Sequence, residues 1–375
     1  MSIYFYITVI VANFILVLMG RKNKIIAYSS FILLLLIYAG NIRKGWCDLT
    51  RYRAWYENGS YGYADGYYKA LEPGYVLFSS FFHRIGIPFN VYLGIVFTLC
   101  TLLVISFARR FTDDFSPIVL FSSLFYYFYN MEVIRFFIAS SIIIFATGFL
   151  IEKKKKWFVI FILLAATFQH YSLVFLAMLL LSDNVNILKL CKGVAVFSLT
   201  LVAVIFVMGN KFSLGINIIQ SVLGSSYAEY TNYSVKLGFL VFLFYQLVNF
   251  ILILYSRYIV KSEINYISYN EKLNQFCDYS FCAVLLMFSV IPFTQIHQVF
   301  FRFIFTYNLM AYTVYAAVQQ YYTEYIRKGS KAISLKILIG RLLGVCLLLM
   351  QAMIWWHFKM NILGLEETLK QSIFY

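Results

Sequence analysis

Apolar runs of roughly 17–21 residues, the length a helix needs to cross the hydrocarbon core of a bilayer, recur along this chain from its first residues to its last third. Lipid offers no hydrogen-bonding partner to the backbone, so each run must satisfy its own amides, and a helix does this within one segment. Composition removes the soluble alternative. Charged residues are 13% of the chain and apolar ones 62%, against about 25% charged in an ordinary soluble domain. The expected fold is therefore all-α: a polytopic transmembrane bundle of about 12 spans, forming a single integral membrane domain over 1–375. Spans are expected near 3–19, 25–41, 88–108, 115–130, 133–152, 157–168, 171–183, 192–209, 237–256, 277–293, 300–320 and 337–357. Residues 74–86 are too short and polar to cross alone and read as an interfacial or re-entrant helix. The pieces 157–168 and 171–183 are also short and read as a broken hairpin.

A net charge of +15 could signal nucleic acid, but the basic residues lie between apolar runs and not on one face of a soluble domain. No nucleic acid partner is expected; the charges set topology. Placing 21–24, 109–114, 153–156, 184–192, 257–276 and 321–336 on one side collects most of the 31 Lys and Arg there, and the positive-inside rule makes that side cytoplasmic. The run Lys153-Lys154-Lys155-Lys156 is its clearest marker. Two long loops, about 42–73 and 210–236, then face outward. The first apolar run, Ile3 to Met19, is followed by Arg21, Lys22 and Lys24, the wrong order for a cleaved signal, and reads as a retained span. The six cysteines are scattered, with neither zinc nor disulfide spacing.

Ionisable side chains are costly at membrane depth and those that persist there usually line a substrate path. Four outward places collect them: Asn41 to Tyr52, with Arg53, Tyr56 and Glu57 following; Glu72-Pro73-Gly74-Tyr75; Asn130 to Arg135; and Gln169-His170 together with His297 and Arg302. Each has an ordinary alternative. The loop arginines could meet lipid phosphates, Glu132 and Arg135 could pair on one helix face, and His170 could be an interfacial histidine. Asp113-Asp114 lies on the basic side and reads as a solvated loop. Metalloprotease, Walker and nucleophile-elbow motifs are absent, as is the D-x-D of metal-dependent glycosyltransferases; neither metal nor cofactor is expected.

The pattern Arg43-x-Gly45-x-x-Asp48-x-x-x-Tyr52-x-x-x-Tyr56 followed by Glu72-Pro73-Gly74-Tyr75 resembles the EpsG family of polysaccharide polymerases, allied to the Wzy-type O-antigen and capsule polymerases. The stretch Glu132 to Ala139 is similar to that family's N-x-x-R-x-x-x-A, with Glu132 replacing Asn. The lysine-rich turn, Phe168-Gln169-His170 and Arg302-Phe303 continue the order, with Gln169 inserted before the histidine. The resemblance is good over roughly 40–175 and looser beyond.

This resemblance implies a GT-C-like bundle in the cell membrane that joins oligosaccharide repeat units carried on undecaprenyl diphosphate, at an active site facing the extracytoplasmic side. Arg43, Arg135 and Arg302 would bind diphosphate, since the planar guanidinium donates bidentately and stays ionised, with Tyr52 and Tyr56 as further substrate-binding residues. Asp48, His170 and Glu72 are the candidates for the base that activates the acceptor hydroxyl, with Asp48 ranked first. Aromatic rings of the outer loops, among them Trp46, Trp55, Tyr67, Tyr68, Tyr227 and Tyr230, would stack on sugars. Membrane lipids, a chain-length regulator and a flippase are candidate partners. Competing readings are an O-antigen ligase, a polyprenyl-phosphate-sugar glycosyltransferase, or a non-enzymatic glycolipid flippase; the last predicts pseudo-symmetric halves and midplane charges, which the sequence lacks.

Overall fold

The computed structural model describes residues 2–40, 48–59, 71–181, 186–207, 238–264, 270–296, 300–329 and 335–363. Every regular element among them is helical. In chain order the α-helices are α1 (Ser2–Met19), α2 (Lys24–Ala39), α3 (Asp48–Asn58), α4 (Pro73–Arg84), α5 (Phe89–Ala108), α6 (Ser116–Phe121), α7 (Tyr127–Glu132), α8 (Ile134–Ile151), α9 (Lys155–Phe168), α10 (Ile187–Val207), α11 (Gly238–Ile259), α12 (Glu271–Met287), α13 (Ile291–Ile296), α14 (Phe301–Gly329) and α15 (Leu335–Leu363). Five stretches among the described residues are both long and apolar enough to cross a membrane: Phe89–Ala108, Ile134–Ile151, Ile187–Val207, Phe239–Ser262 and Glu271–Thr294. The chain is a multi-pass membrane protein.

Of the remaining expected spans, 300–320 lies within the unbroken 29-residue α14, and the others are shorter or interrupted. Tyr4–Met19, Lys24–Ala39 and Ile337–Met353 are apolar helices below that length. The run expected at 115–130 is divided by a π-helical turn, Ser122–Tyr126, between α6 and α7. Val133, at φ −119° and ψ 70°, then breaks α7 from α8. The expected break between 157–168 and 171–183 falls at Gln169, whose backbone is extended (φ −157°, ψ 108°). Beyond it His170–Leu181 forms a 12-residue 3-10 helix, long for its type; at about 2.0 Å per residue it reaches further than an α-helix of equal length.

The chain divides into two compact units, residues 1–179 with 315–375, and residues 180–314. In the first, α8 is the central helix: 83% of its span is buried within the protein, against 28% for Ile187–Val207. It packs between α5 and α9, and α4 lies on α9. Ala139, Ser140, Ser141, Ala146, Thr147 and Gly148 are buried on α8, and such small residues let helix backbones approach closely where no hydrophobic effect drives association. Tyr38 fixes the end of α2: its ring packs on Phe97 and Phe137 at 5.2 and 5.7 Å, and its hydroxyl donates to the Asn130 carbonyl at 3.2 Å.

The second unit is held by polar bonds between apolar helices. Asn249 Nδ2 donates to Asn308 Oδ1 at 2.6 Å, both residues buried. Gln246 Nε2 donates to the Val284 carbonyl at 2.5 Å. Asp278, within α12, accepts from Arg257 at 2.7 Å and forms an ion pair with Lys261 at 3.0 Å. A polar side chain with no water to bond must find a protein partner, and each such pair ties two helices.

Candidate active site

In the first unit four short segments meet, each shaped by its own sequence. On α3, Leu49, Tyr52, Trp55 and Tyr56 are buried; their three- and four-residue spacing makes one helix face, opposite Arg51 and Glu57. Tyr52 is therefore aimed inward, edge-on to Tyr75 at 5.5 Å. The next segment, Glu72-Pro73-Gly74-Tyr75, starts α4. Pro73 occupies the first helical position, where its missing N–H would be unpaired in any case. Glu72 stands just before it, at the positive end of the helix dipole. Gly74 lies so close to the end of α9 that an added Cβ would fall 2.8 Å from the Thr167 carbonyl oxygen and collide with the threonine side chain. Only glycine lets the two ends meet. Tyr75 is fully buried beneath them.

The third segment is the start of α8. Because the chain breaks at Val133, Glu132 and Arg135 belong to different helices, and Arg135 takes as its carboxylate partner Glu72, 63 residues earlier. The guanidinium forms an ion pair with Glu72 Oε2, and its Nε donates to Tyr52 Oη at 3.0 Å. The fourth segment begins after the extended Gln169, where His170 Nδ1 lies 3.6 Å from Glu72 Oε1. One carboxylate thus addresses the arginine through one oxygen and the histidine through the other. Burial grades outward: the Glu72 side chain is 9% exposed, Arg135 20% and His170 72%. A buried carboxylate costs several kcal/mol unless paired, and here the guanidinium and helix dipole both face it. The exposed end is an imidazole with an open face.

Four of the sequence candidates, Tyr52, Glu72, Arg135 and His170, therefore form one cluster. Asp48 does not join it; it opens α3, half exposed, 4.0 Å from Arg51. Tyr56 is buried, stacked on Tyr92 at 4.8 Å, and its hydroxyl donates to the Ile87 carbonyl at 2.7 Å. Trp55 is likewise buried against Tyr52, so it offers no ring to a sugar. Arg302 is the second residue of α14, in the other unit. Arg43, His297 and the remaining outer-loop aromatics lie outside the described residues. The parts that motif reading missed are Gly74's clearance of Thr167 and the bond from Arg135 to Tyr52.

The cluster and the basic loops occupy opposite ends of α8. Arg135 is its second residue, and it closes at Ile151, 16 residues later, about 24 Å away at 1.5 Å per residue. At that far end Glu152 forms an ion pair with Arg110 at 3.2 Å and accepts from Lys154 at 2.9 Å. Lys24 reaches Asp113 at 3.3 Å and Lys22 reaches Glu324 at 2.7 Å. Asp114 is not solvated as expected: it is 8% exposed, accepts from the Ser116 amide at 3.1 Å, and burial pushes its carboxyl up to about 6.

A family model described as the EpsG family matches residues 24–360 of the chain. No curated protein and no solved structure matches it.

Proposed function

This chain belongs to the EpsG family, and on that footing we propose that it is a glycosyltransferase polymerising oligosaccharide repeat units carried on undecaprenyl diphosphate, at the outer face of the membrane. The observation that carries the reading is the Glu72 carboxylate placed between Arg135 and His170. In the proposed reaction the acceptor sugar's hydroxyl oxygen bonds to the anomeric carbon of the donor chain. The bond from that carbon to the diphosphate oxygen breaks, its electron pair leaving with the diphosphate. His170 takes the hydroxyl proton on Nε2 while Nδ1–H faces Glu72. Arg135, held by Tyr52 and Glu72, directs its remaining N–H groups at the leaving diphosphate, where a fixed guanidinium stabilises charge without reorganising. Holding two lipid-anchored substrates side by side contributes as well, up to about 7–11 kcal/mol when orientation is ideal.

This arrangement favours His170 over Asp48 as the base. The family pattern also assigns Arg43 and Arg302 to the diphosphate, and that assignment rests on the motif alone. The extracytoplasmic placement is supported by the separation of about 24 Å between the cluster and the lysine-rich end, read with the positive-inside rule.

The test is purified protein in liposomes with lipid-linked repeat units from a polymerase-deficient producer, chelator present and nucleotide sugar omitted. A ladder of lipid-linked products is expected, and its loss in His170→Ala with substrate binding intact. A ligase would instead yield a single transfer to a different acceptor, and a flippase would yield no new bond; either outcome ends the polymerase reading.

A further inference from the structure

We propose that the lysine-rich turn between α8 and α9 is a binding site for anionic phospholipid headgroups, built at the end of α8 opposite the candidate active site. Three features converge there. Lys153 has a left-handed backbone (φ 61°), which turns the chain so sharply that four consecutive ammonium-bearing residues are gathered at the mouth of α9. Lys153, Lys154 and Lys156 are exposed. The neighbouring carboxylate, Glu152, is already engaged by Arg110 as well as by Lys154, and among the described residues no carboxylate pairs with Lys153 or Lys156. The turn therefore keeps an excess of positive charge.

Directly beneath lies an exposed apolar face. Trp157, Ile160, Leu163 and Leu164 are 44–53% exposed and, with Lys156, share one side of α9. Trp157 is also held in place: its ring lies 6.3 Å from both Phe149 and Phe161, those two stack at 5.4 Å, and Arg110 caps Phe149 at 4.2 Å. A half-exposed tryptophan fixed above an apolar helix face belongs at the headgroup level of a bilayer. The lysines one turn above it then stand among the phosphates. Zwitterionic lipid would meet them with an ammonium or choline group alongside each phosphate; an anionic lipid such as phosphatidylglycerol brings phosphate alone. Basic clusters beside a membrane-crossing segment select anionic lipid in this way, and salt screens the attraction.

The test uses the full chain with Trp157 as its sole tryptophan (Trp46, Trp55, Trp355 and Trp356 replaced by Phe), reconstituted in bilayers carrying equal mole fractions of phosphatidylglycerol and phosphatidylcholine, with bromine on the tails of one or the other. Brominated phosphatidylglycerol should quench Trp157 at least about twofold more than brominated phosphatidylcholine at low salt. The preference should vanish at 1 M salt and in Lys153→Gln/Lys154→Gln/Lys156→Gln, and persist when the same three are Arg. Equal quenching by the two lipids in the lysine background overturns the proposal, as does a preference that survives the triple Gln change. Should the single-tryptophan chain not fold, a photoreactive phosphatidylglycerol on the unmodified protein replaces it. Cross-links within 153–164 would support the site, and cross-links only elsewhere would overturn it.

Discussion

Glu72 and Arg135 form an ion pair across 63 residues of sequence, with the Glu72 side chain nine-tenths buried. Removing one partner leaves the other uncompensated, at a cost on the order of 3–5 kcal/mol for a buried pair. Arg135 is one-fifth exposed, which places its loss toward the lower bound. Glu72→Gln and Arg135→Gln should each lower the unfolding midpoint in detergent, and the double variant should be less destabilised than the sum of the two. Additive effects would show that the pair contributes nothing. Arg135→Lys should keep the charge and still lose most turnover, because Lys cannot bond Tyr52 and Glu72 at once and also face a diphosphate.

Gly74 is a positioning residue on the same reasoning. Gly74→Ala should push the start of α4 from the end of α9, because the added methyl meets the Thr167 side chain and carbonyl. Overpacking of this kind costs roughly 1–3 kcal/mol. A displacement of about 1 Å at Glu72 should reduce turnover on the order of 100-fold. The readout is turnover at saturating substrate beside lipid-substrate binding: binding should hold while turnover falls. A stable, fully active Gly74→Ala variant would remove the close approach from the account.

Asp114 makes stability depend on pH in a direction opposite to most carboxylates. Its folded pKa is raised by burial to about 6, so the folded state binds the proton more tightly than the unfolded chain. The stabilising contribution is present in full below about pH 4, falls as pH rises, and is gone above about pH 6. A shift of this size corresponds to about 2–3 kcal/mol. Asp114→Asn, which keeps an oxygen for the Ser116 amide, should gain stability over the native chain at pH 7.5 and little at pH 4. Unfolding midpoints of the two proteins across that range provide the comparison; a constant difference would contradict the assignment.

Gly20 is constrained twice, by a left-handed backbone (φ 57°) and by the Arg341 guanidinium lying where a Cβ would stand. Arg341 is buried, donating to Thr323 Oγ1 at 2.7 Å and to the Leu18 carbonyl at the end of α1 at 3.4 Å. Gly20→Ala should therefore cost more than the roughly 1–2 kcal/mol of the backbone conformation alone. The excess should disappear when the change is made in an Arg341→Ala background. Equal costs in both backgrounds would show that Arg341 moves aside freely.

The two ends of α8 should label from opposite sides of the membrane. On a cysteine-free background, His170→Cys in intact cells is expected to react with an impermeant thiol reagent, and Lys155→Cys to react only after permeabilisation. The reverse pattern would invert the proposed orientation.

Class and family were legible in the sequence, because length of apolar run and density of charge are local properties that a bilayer reads directly. The motif residues Tyr52, Glu72, Arg135 and His170 could each be singled out for the same reason: a polar group in an apolar stretch is conspicuous without any fold. What they do to one another could not be read. Glu132 stands three residues from Arg135 and is the partner that helical spacing suggests, yet the break at Val133 separates them and packing delivers Glu72 instead. Asp48 sits within the best-matched motif, but as the first residue of α3 it is half exposed beside Arg51. Asp114 looked like a loop acid until the neighbouring segments closed over it. Composition and periodicity determined that this chain is a helical membrane protein. Which carboxylate meets which arginine was decided by helix breaks and close approaches, at Val133, Gln169 and Gly74, whose consequences depend on contacts dozens of residues away.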